Sequence, residues 1–93
     1  MNKKKQEPKI ISMHDALAWL QQPYARVKQP VDITVVRATK QHGQVGELME
    51  YRGVTALEGN FKKGLHRVRF PNGQIRAFKW WQLARINEHT IYL

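Results

Sequence analysis

Hydrophobic and polar positions change rhythm twice along this chain. Residues 1–10 carry a run of lysines and few apolar side chains, the composition of a flexible basic arm. Ser12-x-x-Asp15 then predicts a helix over residues 12–22. Ser12 can accept from first-turn amides, and Asp15 favours the positive end of the helix dipole. Met13, Ala16, Leu17 and Leu20 recur at helical spacing, with Trp19 on their flank, and Pro23 stops the helix. The prolines of PYARVKQP, residues 23–30, bracket a linker. From Val31 the period falls to two. VDITVVRATK predicts a strand over 31–39, with Val31, Ile33 and Val35 on one face and Val36 on the other. QHGQVG reads as a turn, and a second strand follows over 45–53. TALEGNFKKG reads as a polar loop. LHRVRF and QIRAFKWW form a hairpin, WQL a single 3₁₀ turn, and ARIN and TIYL a final short hairpin around residues 87–89.

These elements predict a mainly β domain of the α+β class over residues 11–93, β-rich from residue 31. Five or six short strands at close spacing suggest a small SH3-like barrel, or a strongly bent antiparallel sheet, preceded by one short N-terminal helix. The helix is expected to cover one end of the sheet rather than to bind a partner.

The hairpin raises a question of register. A two-residue type I′ turn at Asn72-Gly73 would oppose Arg69 to Arg76, Arg67 to Phe78, and Leu65 to Trp80 on one face. Phe70–Ile75, Val68–Ala77 and His66–Lys79 would share the other, which looks inward. The competing register makes a type I turn of Pro71-Asn72-Gly73 with a glycine bulge and pairs Phe70 with Gln74 and Arg69 with Ile75. The first keeps apolar residues together and is the expected one. It sets like charges face to face, at some cost to the sheet. It also gathers Arg67, Arg69 and Arg76 beside Phe78 and Trp80, with Lys79, Lys62 and Lys63 nearby. Guanidinium groups fork onto phosphate or carboxylate, and exposed rings stack on bases. The alternative is that Phe78 and Trp80 lie under the helix, with the arginines solvated at its rim.

Charge sharpens this reading. The chain has 93 residues, with 16 Lys and Arg against 7 Asp and Glu, a net charge of +9. Split at Pro30, six basic and two acidic residues give +4, and ten and five give +5, so the excess belongs to the folded part too. Such a field draws an anionic partner, nucleic acid or an anionic protein. No apolar run approaches membrane-spanning length, and no secretory signal is visible. Cysteine is absent, which fits a reducing, cytoplasmic setting.

Catalytic and metal chemistry find no foothold. His14, His42, His66 and His89 are widely spaced and read as surface residues. Ser12 is the only serine and is explained as a cap. HGQVGE lacks the lysine and following helix of a phosphate loop. The expectation is a non-enzymatic protein without cofactor or metal, contacting nucleic acid through the Arg/aromatic hairpin face. A structural or protein–protein interaction module, such as a minor virion or assembly component, is the alternative.

Three resemblances bear on this. GQVGELMEYRG followed by HRVRFPNGQIRAFKWWQLARI resembles the strand–hairpin–3₁₀–strand order of SH3-like barrels. ISMHDAL, VDITVV, GELMEY and HRVRFPNGQIR resemble small uncharacterised proteins of phages and mobile elements, which implies no activity. GQI with LARIN is similar to plasmid-borne, SH3-like dihydrofolate reductases, whose pore is lined by Gln-Ile-Tyr. This chain has Arg76 in place of the tyrosine, so reductase activity is only a remote expectation.

Overall fold

The computed structural model describes residues 9–37 and 46–92. The expected turn at QHGQVG lies almost wholly outside the described residues. β1 (Ile10–Ser12) leads directly into α1 (Met13–Gln21). Ser12 is extended and its Oγ accepts from the Asp15 amide at 3.1 Å, so the cap starts the helix as its sequence predicts. The helix ends on Gln22, whose amide still donates to the Ala18 carbonyl at 2.9 Å and whose left-handed φ of 45° turns the chain out of the helix. The Gln22 side chain then bonds both the amide and the carbonyl of Gln29, closing the proline-bracketed segment into a loop.

The strands that follow are β2 (Val31–Val36), β3 (Leu48–Asn60), β4 (Leu65–Arg69), β5 (Ile75–Lys79), β6 (Leu83–Ile86) and β7 (His89–Tyr92). Short 3₁₀ turns stand at Phe61–Lys63 and Trp80–Gln82. The sheet order is β1-β7-β6-β2-β3-β4-β5. Its seven strands exceed the expected five or six, and the sheet is mixed, because β1 runs parallel to β7. β1 is three residues long and ends on the helix cap itself, too short to show a period in the sequence. Among the described residues no helix is long and apolar enough to cross a membrane.

The largest departure is β3. The chain reads as a strand, a glycine and a polar loop, yet residues 48–60 form one long strand. Its first part pairs with β2 and its second with β4, so it belongs to both halves of the sheet. Between Tyr51 and Val54 it advances three residues while β2 advances two, from Ile33 to Val31. The extra residue is a bulge, and Gly53 supplies the left-handed φ of 66° that it requires. The shift in phase turns Val54 and Ala56 to the same interior as Tyr51. Of the two glycines that suggested a loop, Gly59 lies within the paired strand and Gly64 stays in the turn before β4.

The hairpin takes the competing register. Arg69 lies opposite Ile75, Val68 opposite Arg76, Arg67 opposite Ala77 and His66 opposite Phe78. The Gly73 amide donates to the Phe70 carbonyl at 2.9 Å, and the Phe70 amide to the Gln74 carbonyl at 2.8 Å. Gly73 holds φ at 91°, and Asn72 Oδ1 accepts from the Gln74 amide. This is a three-residue turn with a glycine bulge, and Pro71 fits its first position. The expected arginine pair does not form, so no cross-strand repulsion has to be offset.

The core gathers Ala16 and Leu20 of α1 with Val31, Ile33, Val35, Val54, Val68, Phe78, Leu83 and Ile86. His66, expected at the surface, is buried among them, 7% exposed. Its ring stacks on Phe78 and its Nδ1 lies 3.1 Å from Gln21 Nε2, which ties β4 to α1. Desolvation pushes the imidazole below its ordinary value of 6.5. The unfolded chain thus takes up this proton at higher pH than the folded one. The contribution is intact above pH 6.5 and declines as pH falls towards the lowered value. Urea denaturation between neutral pH and about pH 5 should show stability falling, with a shallower fall in His66→Gln. A second prediction separates the hairpin faces. Val68→Ala should cost about 1–3 kcal/mol in the same assay, and Arg69→Ala less than about 0.5 kcal/mol.

Candidate nucleic-acid interface

Residues 61–82 contain Lys62, Lys63, Arg67, Arg69, Arg76 and Lys79, and no acidic residue. The register sorts them. Strand alternation puts Arg67, Arg69 and Lys79 on the outer face of the β4–β5 ribbon, together with Ile75 and Ala77. Lys79 Nζ reaches the Lys63 carbonyl at 3.0 Å, which draws the Phe61–Lys63 turn and its two exposed lysines to the end of the same face. Arg67 Nη1 lies near the Glu58 carbonyl at 3.4 Å. Among the described residues none of these six side chains makes an ion pair; the pairs are Lys9–Glu88, Arg52–Asp32 and Arg52–Glu50. The ribbon's positive field is therefore not cancelled by carboxylates in contact with it.

Two expected members fall elsewhere. Phe78 is a core residue, 2% exposed, and offers no surface to a base. Arg76 stands on the inward side, opposite Val68, but beyond the core, where it is exposed. Both corrections follow from the one-residue difference in register, which sends each β5 side chain to the other face.

Trp80 stays at the surface, 39% exposed, and Trp81 beside it is 53% exposed. Their 3₁₀ turn is anchored. Gln82 Oε1 accepts from the Lys79 amide at 2.7 Å, and Gln82 Nε2 donates to the Val36 carbonyl at 2.8 Å. The Trp80 amide donates to the Gly64 carbonyl at 2.9 Å. Gly64 holds φ at 71°, and a Cβ there would stand 2.9 Å from Trp80 Cδ1. The indole thus lies against bare backbone at the end of the basic face.

A second constellation escaped the sequence reading. Across β3, β2 and β6, Glu50, Thr34 and Arg85 form one cross-strand row, with Thr34 directly opposite each of the others. A neighbouring row holds Arg52, Asp32 and Asn87. Asp32 Oδ1 accepts from the Gly53 amide at 2.8 Å, and the Asp32 amide donates to Asn87 Oδ1 at 3.0 Å. Thr34 is buried, and its hydroxyl donates to Glu50 Oε2 at 3.1 Å. Arg52 lies 3.9 Å from Asp32 and 3.8 Å from Glu50, beyond hydrogen-bond length. Trp19, Glu88 and His89 help to line a cleft of about 560 Å³ over this array. The Trp19 and His89 rings meet edge to face at 5.1 Å, and His89 Nδ1 is buried without a hydrogen-bond partner among the described residues. His89 is thus a wall of a cleft rather than the surface residue expected. The outward positions of β2 and β3 carry this charge pattern in the sequence, but only strand pairing converts it into rows.

The chain matches no family model, no curated protein and no solved structure.

The support for Trp80 is testable. Gly64→Ala should cost about 1 kcal/mol or more from strain at positive φ and displace the indole. Urea denaturation reads the first effect and a shift in tryptophan fluorescence the second. An unchanged spectrum would show that Gly64 does not position Trp80.

Proposed function

We propose that this protein is a non-enzymatic nucleic-acid-binding protein that holds an unpaired strand along the outer face of the β4–β5 ribbon. One observation carries the reading: Arg67, Arg69 and Lys79 share a face with no carboxylate paired to them among the described residues, and it ends in two exposed tryptophans. Phosphates would lie along the cations, joined by Lys62 and Lys63, and bases would stack on Trp80 and Trp81. Arg76 is exposed on the other side of the ribbon and would reach a strand only at its edge.

The order β6-β2-β3-β4-β5 supports an SH3-like barrel as the scaffold. In it a long bent strand serves both sheet halves and a 3₁₀ turn precedes β6, with β7 and β1 added beyond. A ribbon at the end of such a sheet presents its outer face away from α1, which meets β4 from the inner side through Gln21 and His66.

Fluorescence anisotropy with single-stranded oligonucleotides across a salt series tests the reading. Binding should weaken steeply with salt, and Arg69→Ala should lower the log–log slope by about one unit. Trp80→Ala should lose roughly 1–3 kcal/mol of affinity, with little change in slope. No binding at about 50 mM salt would remove the proposal. Tight salt-insensitive capture of a protein through the tryptophans would favour the interaction-module alternative instead.

A further inference from the structure

We infer that the cleft over β2, β3 and β6 is a second binding site, separate from the basic ribbon, and that it takes a guanine base. Its floor is an alternating array. Glu50 and Asp32 offer carboxylate acceptors, and Arg85 and Arg52 offer guanidinium donors, in two adjacent rows. The array is internally under-committed. Arg52 stands at 3.9 Å and 3.8 Å from its two carboxylates, so neither contact is a made hydrogen bond. Among the described residues Arg85 has no side-chain hydrogen bond or ion pair. Thr34, buried and bonded to Glu50, fixes that carboxylate in place. His89 Nδ1 is buried in the wall and has no hydrogen-bond partner among the described residues.

A ligand that fits must present donors and acceptors on neighbouring edges, and a flat body suits a cleft that Trp19 also lines. An apolar ligand would strand four charged groups without solvent. A simple cation would meet Arg52 and Arg85, and a simple anion would meet Asp32, Glu50 and Glu88. Guanine matches both signs at once. Its N1–H and N2–H₂ form a two-point donor edge for a carboxylate, and its O6 and N7 form a two-point acceptor edge for a guanidinium fork. Adenine, cytosine and uracil lack the paired imino and amino donors. The cleft of about 560 Å³ lies within the range of small-ligand sites.

The site does not depend on the ribbon, and a nucleoside without phosphate tests it alone. Guanosine, adenosine, cytidine and uridine are titrated into the full chain and followed by calorimetry. Guanosine should bind saturably and at least about tenfold more tightly than the other three, the discrimination of a satisfied polar edge. Glu50→Gln keeps an acceptor for the Thr34 hydroxyl and should keep the fold, checked by circular dichroism. It should weaken guanosine about tenfold or more, and Arg85→Gln should do the same. Equal binding of all four nucleosides, no saturable guanosine binding, or unchanged affinity in both folded variants would each overturn the inference. So would displacement of guanosine by free arginine at equal concentration, which would mark a cation site.

Discussion

Everything in this fold turns on one extra residue in β3. The bulge at Gly53 re-phases a strand that must face inward in both halves of the sheet. Without it, Tyr51 would point into the interior and Val54 and Ala56 to solvent, because side chains alternate strictly along a strand. The bulge also frees an amide, and the Asp32 carboxylate accepts it. Asp32 is in turn bonded through its own backbone to Asn87, at the turn between β6 and β7. Three strands are thus pinned at one point.

That pin divides the surface into two chemistries. On one side of it β2, β3 and β6 carry carboxylates and guanidinium groups in alternation. On the other, the end of β3 passes into a ribbon whose charged side chains are all basic from Lys62 to Lys79. Like charges along the ribbon would repel if they were directly opposed. The glycine-bulge register sets Arg69 against Ile75 and Arg76 against Val68 instead, so the positive charge is dense without a facing pair. The tryptophans at its end are held by backbone and by Gln82, which leaves their rings free of the core.

The sequence located most elements because their signals are local. Ser12 announces the helix with a hydrogen bond three residues away, and Val31, Ile33 and Val35 announce β2 through a period that needs no partner. Asn72-Gly73 announces a turn, and WQL a 3₁₀ turn before the last hairpin; that 3₁₀ turn forms one residue earlier, at Trp80–Gln82. Local signals were also misleading where backbone pairing outweighed composition. TALEGNFKKG reads as loop from its two glycines and two lysines, yet pairing with β4 makes Thr55–Asn60 strand.

By itself, then, the sequence determined a small, basic, mainly β protein with one capped helix and an Asn-Gly hairpin. Each of these follows from contacts within a few residues or from summed charge. Only the tertiary structure decided which face each ribbon side chain takes. Two registers differing by a single residue are both compatible with Pro71-Asn72-Gly73, and the choice depends on packing against residues far along the chain. It made Phe78 core and left Trp80 outside. It also assembled the Glu50–Thr34–Arg85 row, whose members lie on three strands. No sequence spacing encodes that row, because adjacency across a sheet is set by pairing and not by distance along the chain.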